Sequence, residues 1–166
     1  MNAGLLGGDV AQIQAHAAAY RTFSNDLVAC GDNVVSTTEN AVTGLQDQVT
    51  SAQAAVVSAL DAVTQESRTV MAGFEGVLWT GANRSQVEQV CNDLNARVSD
   101  TTVRVQDLFE TFRADLTRIG GELRDVADQF KAVSTAAGES AASLGQAMDA
   151  QAAELDQVMN TGITQA

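Results

Sequence analysis

The side chains able to do chemistry are few and scattered. His16 is the only histidine, and Cys30 and Cys91 are the only cysteines. A metal centre needs clustered His, Cys or carboxylate ligands at set spacing, and one histidine with two distant cysteines outside any Cys-x-x-Cys does not supply it. No Glu-x-x-His pair is present for a di-iron bundle. Gly4, Gly7 and Gly8 precede a helical pattern but follow no strand, so a dinucleotide loop fails on context, and no phosphate-cradling G-x-x-x-x-G-K-[ST] run exists. Catalysis requires a nucleophile, acid or base held in a concave pocket, and no spacing in this chain assembles one. No catalytic residue, cofactor or metal is expected. The cysteines read as small apolar fillers on helices.

The elements that would carry any site are helices. The 166 residues contain no proline, and aromatics make up only 4%. Proline ends helices and marks loops, so its absence favours few loops and long helices. Small side chains suit a thin helix–helix seam better than a thick core. The net charge of −12 and 9 bases against 21 acids argue against nucleic acid, whose binding rests on cationic contacts to phosphate. They argue equally against anionic membrane surfaces. No stretch approaches the roughly 18–20 apolar residues of a membrane span, so no stable membrane insertion is expected. The first twenty residues lack the basic and apolar regions of a secretory signal. The expected location is outside the cell without a classical signal peptide, or the cytoplasm before export.

Residues 1–8 (MNAGLLGG) read as a flexible arm, and Asp9 with Gln12 as a helix start. Apolar residues then recur at spacings of three and four, the mark of a helix. They include Ile13, Leu27, Val34, Leu45, Val49, Val56, Val63 and Val70. This predicts one helix over about 9–77, on the order of 100 Å long at 1.5 Å per residue. The pattern stops at a turn over about 78–83, and Asn83 follows as an N-cap with Gln86 three positions later. A second ladder carries Leu94, Val98, Val105, Phe112, Ile119, Leu123, Val126 and Phe130. It predicts a helix over about 83–160. Each ladder holds a stutter, one at Leu45 and one at Phe112, at nearly equal distances either side of Trp79. Two strands of a supercoil must unwind at the same level, so matched stutters predict an antiparallel hairpin with coiled-coil-like packing. Gly120-Gly121 and Ser36-Thr37-Thr38 also fall at matching distances and predict a bend or a helix break. The whole of 1–166 is expected to form one helical-hairpin domain.

The apolar stripe is wider than one seam needs. Val28, Val35, Val42 and Val57 broaden it on the first helix, and Val90, Val103 and Phe109 on the second. A stripe that wide calls for a third and fourth helix, so a dimer or larger assembly is expected. Seven of the nine bases lie between residues 84 and 131, several with an acid three or four positions earlier. Such pairs support a solvated helix face or select a partner along coiled-coil edges.

With Trp79-Thr80-Gly81 set between two heptad-like helices in an acidic, proline-free chain, the sequence resembles the W-x-G helical-hairpin family of type VII secretion substrates, in an elongated form. The resemblance implies a non-enzymatic interaction protein that forms a homo- or heterodimeric four-helix bundle. Its partner would be a second copy or a second W-x-G hairpin, and a membrane secretion ATPase would export it folded. Trp79, Gly81 and Asn83 would form the turn and a partner contact. The chain departs from the family in three ways. It is longer than most members, Val87 stands where an aromatic is usual, and the C-terminal Y-x-x-x-[DE] signal is missing because Tyr20 is the only tyrosine. The competing expectation is a helical-hairpin subunit of a filament, phage tail or other multi-subunit assembly.

Overall fold

The structure, a computed structural model, describes residues 3–75 and 82–164. It is an all-α helical hairpin of two long helices packed against each other, α1 (Ala3–Glu75) and α2 (Ala82–Thr164). α1 begins before the expected residue 9, and α2 runs past the expected residue 160. α1 already includes Gly4, Gly7 and Gly8, so those residues are helical instead of forming an arm. A helix once nucleated adds a glycine at about 1 kcal/mol relative to alanine, which flanking alanine and leucine offset. α2 begins at Ala82 and is continuous through Gly120-Gly121. Asn83 therefore lies inside its first turn and does not cap it. The expected turn residues Trp79, Thr80 and Gly81 lie outside the described residues.

Threonine, a weak helix former, is accommodated by one repeated device. Thr22, Thr50, Thr69, Thr111 and Thr117 each donate their hydroxyl to the carbonyl four residues earlier. That bond satisfies the hydroxyl without interrupting the helix.

Packing divides the chain into two units. Unit 1 is Met1–Asn40 with Glu122–Ala166, and unit 2 is Ala41–Gly121. The division falls beside the glycine pair that the sequence singles out.

In unit 1 the seam is built from the smallest side chains. Ala17, Ser24 and Gly31 are buried on α1, and Ala127, Ser134, Gly138, Ala141, Gly145 and Ala152 on α2. The backbones come close. A Cβ at Gly138 would stand 3.0 Å from the Ser24 carbonyl oxygen, and one at Gly145 would stand 3.0 Å from that of Ala17. A Cβ at Gly31 would stand 3.1 Å from Lys131 Cα. These contacts pair early α1 with late α2 in antiparallel order. One flank of the seam is closed by ion pairs between the helices. Arg124 donates to both carboxylate oxygens of Glu39 at 2.8 and 3.0 Å, Lys131 lies 2.9 Å from Asp32, and Arg21 pairs with Asp149.

In unit 2 the seam is mixed. On α1 it runs through Val42, Val49, Gln53, Val57, Leu60, Thr64, Ser67, Met71 and Phe74, and on α2 through Glu88, Cys91, Asn95, Val98, Thr102, Val105, Phe109, Arg113 and Leu116. The two ladders have mirror-image spacing, which sets Phe74 level with Glu88, Ser67 with Asn95, and Gln53 with Phe109. A matched stutter does exist, as Val49-Gln53-Val57 and Val105-Phe109-Arg113 both step by four twice. It is displaced from the expected Leu45 and Phe112, both of which are exposed. Thr64 and Thr102 hydroxyls bond back to Leu60 and Val98 carbonyls. The Ser67 hydroxyl and the Asn95 side-chain oxygen, at one level of the seam, are buried without partners. Each such orphan costs about 1–3 kcal/mol, and a polar layer of this kind fixes register at the expense of stability.

Candidate functional site

The residues expected to form the helix seam and the oligomer face fall in three groups. Val49 and Val98 are buried, and Leu27, Val34 and Val105 are half-buried. Leu45, Val56, Val63, Val70, Leu94, Phe112, Ile119, Leu123, Val126 and Phe130 are exposed, from 38% for Val56 to 62% for Val126. Most of the exposed group sits one residue before a seam position: Val56 before Val57, Val63 before Thr64, Leu94 before Asn95, Phe112 before Arg113. The large side chains form a second ladder beside the small and mixed ones that make the contact.

Helix geometry gathers this second ladder on one side. An α-helix turns about 100° per residue, so each residue before a seam residue points well to one flank. Reversing the direction of a helix reverses the sense of that turn as seen by its neighbour. In an antiparallel pair, the preceding positions of both helices therefore face the same way. In unit 2 this places Val56, Val63 and Val70 of α1 and Leu94, Leu108 and Phe112 of α2 on one face. In unit 1, taken by itself, the preceding positions gather Leu123, Phe130 and Leu144 of α2 and Phe23 of α1 on one side, with His16 and Cys30 among them. In unit 1 Arg21, Asp32, Glu39 and Asp149 follow seam positions, so the ion-paired flank is the opposite side. The sequence signal for this sidedness was the continuous three–four spacing of the large residues. It could not say that a still smaller set would take the contact.

The electrostatics follow the same division. Lys131 has its pKa raised by its hydrogen bond and charge attraction to Asp32, and Arg124 has its raised by Glu39. A raised lysine pKa contributes stability that is complete below the ordinary 10.5 and is lost as pH rises through the folded value. Both pairs are thus intact at neutral pH. Of the acid–base pairs expected along α2, Asp100–Arg104 forms at 2.9 Å and Asp115–Arg118 at 3.9 Å. Lys131 reaches across the seam instead of pairing with Asp128. Among the described residues Arg97 and Glu66 take part in no ion pair.

The surface among the described residues offers open grooves. One is lined by Asp26, Ala29, Cys30, Asn33, Val34, Thr37 and Thr38, and another by His16, Ala19, Tyr20 and Phe23. A third is lined by Asn83, Gln86, Val87 and Val90. Each is bounded by one helix alone, so no second element converges on it. Among the described residues no group of His, Cys, Asp and Glu could hold a metal ion, and no helix is long and apolar enough to cross a membrane. Cys30 is exposed and Cys91 buried in the unit 2 seam. Comparison with family models, curated proteins and solved structures finds no match.

Proposed function

We propose that this chain is a non-enzymatic interaction protein, similar to the W-x-G substrates of type VII secretion, that works as a helical-bundle dimer or larger assembly. The observation that supports this reading is the exposed apolar face, which carries large side chains of both helices in unit 2. The partner is a second copy or another W-x-G hairpin, and the assembly is delivered for export.

The test is the solution mass. Light scattering at micromolar concentration is expected to give at least two chains per particle, and a strictly monomeric mass would count decisively against the reading. Electron microscopy separates this reading from a filament or tail subunit, since discrete small particles are expected and regular fibres would favour the subunit. Trp79 of the W-x-G motif gives a second check. Trp79→Ala is expected to keep high helical content while weakening assembly or melting by about 2–4 kcal/mol, the range for truncating a large buried aromatic. Unchanged stability and assembly would remove Trp79 from the interface.

A further inference from the structure

We infer that the unit 2 face is covered by a second copy of the same chain, related by a two-fold axis that runs along the helices, so that α1 of one copy lies over α2 of the other. The inference rests on the assembly reading above and adds the partner and its orientation. The apolar centre of the face is flanked by two different edges. On α1 the outer edge, beside Val63 and Val70, carries Ala59, Glu66 and Gly73. On α2 the outer edge, beside Leu94 and Thr101, carries Val90, Arg97 and Arg104. Glu66 precedes Ser67 and Arg97 precedes Val98. Because Ser67 is level with Asn95, the two charges stand at almost the same height on opposite edges. Neither has an ion-pair partner among the described residues.

Two face-to-face arrangements obey two-fold symmetry. With the axis across the helices, each edge meets its own copy, and the arginine edge is stacked on an arginine edge. With the axis along the helices, the acidic edge meets the arginine edge. Glu66 of each copy then faces Arg97 of the other, twice per dimer, at the height the seam already sets. Only the second arrangement joins opposite charges around the apolar centre, and complementary edges of this kind fix register and exclude other arrangements.

The experiment is a charge reversal read by sedimentation equilibrium on the full chain. Both positions are exposed, so the variants keep the fold, which circular dichroism verifies. Glu66→Arg alone and Arg97→Glu alone are each expected to weaken dimerisation about tenfold, because each places like charges together twice. The double reversal is expected to return the dissociation constant to within about threefold of the parent, as the pairs re-form with signs exchanged. Val63→Glu, in the centre of the face, is expected to give monomers of unchanged helicity. A dimer indifferent to all three changes, or one that Arg97→Glu tightens, overturns this pairing and leaves the assembly reading standing. A parent chain that is monomeric overturns both.

Discussion

Replacing Gly138 with leucine is expected to cost at least about 3 kcal/mol of stability and to separate the helices of unit 1, because the seam there has no room for a side chain. A bare Cβ at this position would already lie 3.0 Å from the Ser24 carbonyl oxygen and 3.1 Å from a Val28 methyl carbon. The first of these is backbone, so no rotamer change relieves it, and α1 as a whole must back away. Moving it loosens the neighbouring layers, where Gly145 and Gly31 allow similar approaches to Ala17 and Lys131. Leucine would gain about 1 kcal/mol in helix propensity over glycine, which is small beside the packing loss. Gly121→Ala is the control. A Cβ at Gly121 meets nothing within 4 Å, so that change should raise stability by about 1 kcal/mol through propensity alone. Urea titrations followed by circular dichroism distinguish the two, and a Gly138→Leu variant as stable as the parent would show that the close approach does not hold the seam.

The same glycines explain what could be read from the sequence and what could not. That the chain makes two long helices followed from the missing proline and from Ile13, Leu27, Val49 and their successors at helical spacing. That the helices run antiparallel followed from paired defects in that spacing, although the defects themselves lie at Gln53 and Phe109. The contact face did not follow. A sequence reading weights large apolar residues, since each removes more surface from water, and so it chose Val63, Leu94 and Phe130 over Ser67, Asn95 and Lys131. Packing applies a further rule. Where Gly, Ala and Ser recur every seven residues on both helices, as Ala17, Ser24 and Gly31 do against Gly145 and Gly138, backbones approach closely and gain contacts along their whole length. The phase of the helix then turns the bulky neighbours outward. Asn83 was placed wrongly for a different reason, since a cap differs from a first-turn residue only by local dihedrals, and helix ends are set to within one or two residues.

The outward turn of those bulky residues joins the fold to the proposed function. A hairpin that buried Val56, Val63, Leu94 and Phe112 in its own seam would leave a less apolar exterior. By spending small residues on the internal contact, this chain keeps the large ones for another surface. In unit 1 the opposite flank carries the ion pairs Asp32–Lys131 and Glu39–Arg124, so the two sides of that helix pair differ in character. Sidedness of this kind is what a hairpin needs to add two more helices in one orientation.

Val42→Asp is expected to be the most damaging single change in unit 2, at about 4–5 kcal/mol. Val42 is 1% exposed and is the largest fully buried side chain among the described residues. It stands level with the buried Gly120 of α2, which offers no side chain to accept or balance a charge. Aspartate is close to valine in size, so the loss is electrostatic, arising from a carboxylate withdrawn from water without a partner. The damage should depend on pH in a stated direction. Burial favours the neutral acid and raises the folded pKa of the introduced carboxyl above its unfolded value of about 3.9. The native state then binds more protons than the unfolded state between those two values, so stability falls as pH rises through that window and is regained on acidification. Val42→Asn, which carries no titratable group, should lose stability without that pH dependence. Thermal melts of both variants between mildly acidic and neutral pH make the comparison. If Val42→Asp melts like the parent at neutral pH, the introduced carboxylate has reached water, and the seam at this level is open.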